Sequence, residues 1–378
     1  MAVGKIGWGF GLAMYVFFSF FAGLTDEMLY LIQRYTRQNT YSGCVRKMLG
    51  RKAEWFTDLI QLLYSFGACV GYAIIIADEL HLSIAHLLRS KLSPEWEWLV
   101  SREFVLIFVT LFIILPPSLL KKITALRFTS FLAISGILYL TIVMLSQAIH
   151  TDPCGLAAAA KYICNQGVCQ IEANAAAATC NGLSACVKTC QGGVSDIVRS
   201  TSNAFIFSRN IFLALPIFCY GHCSQVQFIP IVADLKEPTK KRVSAVIFFA
   251  YVLIFCVYTL NSLAGYMSFC GYATGNILDS YDSGNVPIMV GRFLIAIALC
   301  FTFPLYGYNV IYVSFSSITA LFLDQLYKVV ALTGALGGSM IEAIIPAAMY
   351  IQFVRETDDP VKGMKTAYGV FFIVLGVV

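Results

Sequence analysis

Charge is what this sequence has least of. Charged residues make up 12% of the 378-residue chain, against 58% hydrophobic residues. A soluble domain is nearer a quarter charged, so these few charges cannot cover a water-exposed surface of this size. A soluble globular protein is excluded. Enzyme signatures are also missing: the chain has no Walker A loop, no H-E-x-x-H and no G-x-S-x-G. Phosphate cradling, zinc hydrolysis and elbow-serine chemistry therefore have no anchor, and neither a catalytic residue nor a metal site is expected. No N-x-S/T sequon occurs, so N-glycosylation is not expected. The net charge of +5 is spread over short loops, without the basic stripe and interleaved aromatics of a nucleic-acid groove.

Long apolar blocks are what the sequence has instead. They run at 8–33, 57–80, 104–120, 124–149, 203–235, 243–270, 286–306, 307–330, 334–353 and 366–378. About 20 residues cross a bilayer as a helix, so the expected fold is all-α and polytopic with about 10 transmembrane segments. The block at 104–120 is short, and the boundary near 306–307 lacks a polar loop.

Basic residues set the orientation. Arg34, Arg37, Arg46, Lys47, Arg51 and Lys52 follow the first block. Lys121, Lys122 and Arg127 follow the third, Lys236, Lys240, Lys241 and Arg242 the fifth, and Arg355, Lys362 and Lys365 the ninth. If each block crosses once, all four clusters lie on one side, the cytosol by the positive-inside rule, and Met1 lies outside. The opposite side holds the longest connection, 150–202, with Cys154, Cys164, Cys169, Cys180, Cys186 and Cys190. An even cysteine set in a non-cytosolic loop reads as a disulfide framework with 15 conceivable pairings. Zinc binding is the weaker alternative, because paired C-x-x-C spacing and a companion histidine are missing. The chain divides into 1–149, the loop 150–202, and 203–378.

The block 203–235 carries the most information. Gly221, His222, Ser224, Gln225 and Gln227 cluster at its middle, between Pro216 and Pro230. Each proline removes a backbone donor, and backbone groups freed at membrane depth must face protein or a watery cavity. Two half-helices joined by an unwound stretch near 218–225 satisfy both demands. Such a device presents helix ends and bare backbone to a charged solute. An amino acid, with its carboxylate and ammonium, suits it. A proline-kinked helix whose polar groups are satisfied by neighbours is the alternative. His222 alone reads as a packed or hydrogen-bonded side chain.

The stretch PIFCYGHCSQVQFIPIVADLKEPTKKRV, from Pro216 through Phe218, Tyr220, His222, Pro230 and Asp234 to Arg242, resembles the sixth helix and following loop of the amino acid/auxin permease family. The nearest branch is that of the sodium-coupled neutral amino acid transporters. In the same order, 62–80 resembles the third helix, 261–271 the end of the seventh, 276–305 the eighth with its preceding loop, and 334–352 the tenth. The cysteine loop resembles the family's disulfide-bearing outer loop.

The resemblance implies a LeuT-type inverted-repeat fold whose broken first and sixth helices surround a midplane site. Under it, 1–149 holds helices 2–5 and 203–378 holds helices 6–11, with the ninth compressed and the eleventh truncated. The first helix is expected to be lacking, which also accounts for the outside N-terminus. It further implies secondary-active transport of neutral amino acids coupled to a sodium or proton gradient, with no other cofactor, in a plasma membrane or an acidic or vacuolar membrane. A non-transporting amino-acid sensor is the alternative function, since such proteins occur among the relatives. Amino acid and membrane lipid are the expected partners, and nothing fixes an oligomeric state.

Candidate substrate-binding residues are Phe218, Cys219, Tyr220, Gly221 and His222 at the break, with Gly67 and Tyr72 on the resemblance to the third helix. Gly67 and Gly71 read equally as close-packing positions. Thr302 is an ion-coupling candidate, because a threonine at this place contributes a hydroxyl to the cation in the sodium-coupled relatives. Back-bonding to its own helix is the alternative. Glu342, a carboxylate inside an apolar run, is the second ion-coupling candidate, as a proton carrier; pairing with a neighbour such as a tyrosine, or a part in helix packing, is the alternative. Asp26 and Glu27 read as solvated at a helix end, and Arg292 as a residue that snorkels to the interface.

Overall fold

The computed structural model describes residues 2–88, 93–118, 126–150, 205–206, 211–269, 275–306, 310–323, 325–357 and 362–377. Every element among them is helical. The main helices are α1 (Trp8–Thr36), α2 (Tyr41–Leu49), α3 (Arg51–Leu88), α4 (102–118) and α5 (Leu126–His150). They continue as α6 (Ile211–His222), α7 (Gln225–Asp234), α8 (Lys240–Phe269), α9 (Val286–Tyr306), α10 (Val310–Phe322), α11 (Leu326–Glu356) and α12 (Lys362–Val377). In hydrocarbon a helix satisfies every backbone group internally, which is why long apolar runs take this form. Local chemistry sets the ends. Thr40 caps α2 by accepting from the Gly43 N–H, and Gly50 closes it at φ +91°, a conformation that favours glycine.

Among the described residues, seven stretches are long and apolar enough to cross a membrane, and two shorter apolar helices, Tyr312–Phe322 and Gly363–Val374, accompany them. The apolar block expected at 307–330 divides differently. α10 stops at Phe322, and Leu326–Val330 belong to α11, which runs on through two π-helical turns, Gly334–Gly338 and Met340–Ile344. The six cysteines of 150–202 lie outside the described residues.

The chain forms two compact units. One comprises 13–71, 212–256 and 327–378, the other 1–12, 72–211 and 257–326. The first is built on a core that includes Phe21, Leu29, Ile32, Tyr41, Val45, Ile229, Ile341, Met349 and Phe372. α2 lies amphipathically against it, burying Tyr41, Cys44, Val45 and Met48 at helical spacing. The Tyr41 hydroxyl donates to the Ile341 carbonyl across 2.9 Å, inside the second π-helical turn. At one end of this unit Arg34 donates to the Pro238 carbonyl and the Tyr35 hydroxyl to Glu356, at 3.0 Å each. Three of the four basic loops therefore gather at a single end, as the positive-inside pattern requires.

In the second unit α5 packs against α9 around Leu140, Val143, Met144, Ala264 and Ile288. Here the snorkelling expected of Arg292 is overturned. Its side chain is 1% exposed, and Nε stands 3.2 Å from Oε2 of the fully buried Glu79. It also donates to the Leu278 carbonyl at 2.7 Å. A guanidinium that finds a carboxylate and a turn carbonyl inside the protein has no reason to reach for the interface.

Candidate functional site

α6 and α7 are two half-helices. The first ends at His222, the second starts at Gln225, and only Cys223 and Ser224 lie between them. The break is shorter and later than the expected 218–225 stretch, because Phe218 to Gly221 keep their helical hydrogen bonding. Pro216 and Pro230 sit inside the two half-helices and leave the break itself to other residues. The last turn of α6 tightens, with Cys223 N–H reaching the Tyr220 carbonyl. Ser224 occupies the cap position of α7, yet its side chain does not cap the helix. Its hydroxyl lies 3.1 Å from that of Tyr251 on α8 instead.

Tyr251 in turn donates to Asp26 Oδ2 on α1 at 2.9 Å. Beside it, the Gln225 amide donates to Thr25 at 3.2 Å, and Thr25 donates to the Ala22 carbonyl. Asp26 is 3% exposed, so its expected solvation is overturned. In a helix Asp26 and Glu27 point about 100° apart, and here the rotation that leaves Glu27 half-buried carries Asp26 into the core.

His222 is equally enclosed. Its Nδ1 donates to the Phe218 carbonyl at 2.8 Å, and Nε2 lies 3.1 Å from the Ser19 hydroxyl. Tyr15 meets Phe218 edge-on at 4.8 Å between centroids, and Phe18 stacks on both Phe218 and His222. An aromatic face of α1 thus covers the end of α6.

A cavity of about 300 Å³ opens beside this point, among Phe17, Phe18 and Phe21 of α1, Pro216 and Cys219 of α6, and Gly334, Ser339 and Glu342 of α11. Glu342, 1% exposed, accepts from the Cys219 thiol at 3.0 Å through Oε2, and its Oε1 has no partner among the described residues. Small residues make the approach of the helices close enough. A Cβ on Gly334 would stand 2.0 Å from the Pro216 carbonyl oxygen, so only glycine fits there. π-helical turns such as those carrying Gly334 and Glu342 are frequent at functional sites. The arrangement is a small, largely apolar chamber with an aromatic wall and one carboxylate, suited to a small solute bearing a positive group.

Of the candidate residues, Phe218, Cys219, His222 and Glu342 come together around this chamber and break. Tyr220 tilts against Tyr64 at 5.6 Å, and Gly221 is half-buried in the last turn of α6. Gly67 is not among the chamber's walls, and a Cβ on it would overlap the Thr333 side chain, which gives it a packing role. Tyr72 and Thr302 belong to the other unit. The Thr302 hydroxyl donates to the Ala298 carbonyl of its own helix at 2.8 Å. Sequence reasoning missed Ser19, Thr25, Asp26 and Tyr251. The acidic pair Asp26–Glu27 inside an apolar block was the available signal, since a carboxylate at such a place is costly unless it has partners within the protein.

The sequence profile of the family described as transmembrane amino acid transporter protein matches residues 1–311. The chain is 21% identical over 375 residues to sodium-coupled neutral amino acid transporter 7 of Xenopus laevis, covering 90% of this chain and 74% of the relative. It is 22% identical to the Danio rerio protein of the same name, covering 90% and 72%. With the Homo sapiens protein it shares 20% identity over 409 residues, covering 99% and 79%.

Proposed function

Because the chain belongs to the transmembrane amino acid transporter family, we propose that it is a secondary-active carrier of neutral amino acids, coupled to a sodium or proton gradient. It is an integral, multi-pass membrane protein of a transporter family and not an enzyme. The relatives' printed names supply the neutral substrate class and the sodium alternative. We take the scaffold to be the LeuT-type inverted repeat with about ten crossings, in which discontinuous helices hold the solute near the midplane.

One observation carries the proposal: the interruption of the 211–234 span at Cys223–Ser224, beside a chamber walled by Cys219 and Glu342. A helix whose only task is to cross lipid has no use for a break that must be satisfied by buried partners. In this reading the chamber takes the amino acid. Its ammonium meets the Glu342 carboxylate, and its side chain lies against the aromatic wall of α1. Phe218, Cys219, Tyr220, Gly221 and His222 form the surface of α6 that changes when the half-helices move.

The test is uptake of labelled neutral amino acids by vesicles containing the purified chain, with sodium and pH gradients imposed separately. Saturable accumulation driven by either gradient is expected. Saturable binding without flux would transfer the protein to the sensor class, and neither binding nor flux would end the proposal.

A further inference from the structure

We propose that Asp26 is a proton-binding site, and, resting on the carrier reading above, that its protonation couples the gradient to the broken helix. Five residues close a ring. Thr25 and Asp26 are neighbours on α1, Asp26 is bonded to Tyr251, Tyr251 to Ser224, Ser224 is the neighbour of Gln225, and Gln225 returns to Thr25. Two oxygens of this ring, Asp26 Oδ1 and Gln225 Oε1, are buried acceptors with no donor among the described residues. Asp26 and Gln225 are 3% and 0% exposed. A buried acceptor without a donor is costly, and a buried carboxylate without a cation more so.

The groups that face Asp26 do not supply the missing positive charge. They are Tyr251 on α8, Tyr41 on α2, Cys223 at the break and Glu342 on α11. His222, two residues before Ser224, is engaged with Ser19 and Phe218. Asp26 has no ion-pair partner among the described residues. A metal cation fits the ring poorly. A hard cation gathers about six oxygens, whereas the Thr25, Ser224 and Tyr251 hydroxyls are already engaged. One proton suffices: on Asp26 it forms an O–H bond, neutralises the charge and adds a donor to a ring that has two acceptors without one.

Access and consequence follow from the same residues. A mostly apolar groove of about 340 Å³ between α1 and α8, walled by residues such as Val16, Phe20, Phe248 and Val252, also takes in Ser19, Glu27 and Tyr251, so the ring borders it through the Tyr251 phenol. The proton comes from water on one side and returns to water on the other, and only an O–H bond forms and breaks. Its arrival changes the charge of a ring whose far side is the first turn of α7, immediately beyond the break.

The experiment uses the purified full chain, by infrared difference spectroscopy between acidic and neutral buffer and by uptake in vesicles under an imposed pH gradient. The expected result is a carboxylic-acid band present in the wild type, absent in Asp26→Asn and retained in Asp26→Glu. Uptake by Asp26→Asn should lose its response to the pH gradient, and Asp26→Glu should keep it. If Asp26→Asn is not recovered, Tyr251→Phe serves, because loss of its hydrogen bond must move the Asp26 band. A band unaltered by both substitutions, or a full pH response in Asp26→Asn, would overturn the site. So would sodium-driven uptake that needs Asp26 without any such band. The band without flux in the wild type upholds the proton site and overturns the carrier.

Discussion

Tyr251 donates its hydroxyl hydrogen to Asp26 across 2.9 Å although 225 positions separate the two in the chain. Through the same oxygen Tyr251 contacts Ser224, the residue at which the sixth and seventh helices part company. A single phenol therefore links a buried carboxylate on one helix to the discontinuity in another.

Removing that link has a graded consequence. Tyr251→Phe leaves both Asp26 oxygens without a donor and should lower stability by about 1–3 kcal/mol. Ser224→Ala removes only a neutral contact and should cost about 1 kcal/mol or less. Thermal melting of the detergent-purified variants measures both. Equal losses would mean that the carboxylate does not depend on the phenol.

The pair Glu79–Arg292 lends itself to a double-mutant cycle. Arg292→Met leaves a fully buried carboxylate uncompensated and should cost about 3–5 kcal/mol. The double variant Glu79→Gln with Arg292→Met removes both charges and should recover much of that loss. Additive losses in the melting temperatures would show that the two groups do not compensate each other.

Gly334→Ala should disturb the structure and Gly363→Ala should not. A Cβ at 334 meets the Pro216 carbonyl oxygen at 2.0 Å, whereas one at 363 meets nothing within 4 Å. Forcing α6 and α11 apart should cost about 1–3 kcal/mol, and the α6–α11 wall of the chamber should open with it. Comparative melting and uptake measurements check this, and a silent Gly334→Ala would refute the close approach.

Glu342→Gln tests the chamber. A charge-assisted bond to an ammonium is worth about 1.5–3 kcal/mol, so its loss should raise the half-saturating amino-acid concentration about tenfold or more. Titrating uptake against substrate reads this directly. An unchanged value would remove Glu342 from the substrate path.

The break in the 203–235 block was legible because prolines and adjacent polar residues have no place in a plain lipid-crossing helix. Its extent was not. Prolines suggested an unwound stretch from Phe218, but both prolines lie inside the half-helices and the chain stays helical through His222. The interruption moved to Ser224, whose hydroxyl prefers a long-range partner to its own helix end. Asp26 and Arg292 were misplaced for a related reason. Position along an apolar run tells how deep a residue lies, but not which way it points.

By itself the sequence determined that this chain is helical, lies in a membrane and is interrupted near His222, because scarcity of charge and placement of proline are local properties that any folded form must respect. Tertiary structure alone decided which polar groups meet. Thr25, Asp26, Ser224, Gln225 and Tyr251 become one ring only when three helices converge, and no local pattern encodes a hydrogen bond across 225 positions. Burial made that ring consequential, since away from water each polar group must find its partner within the protein.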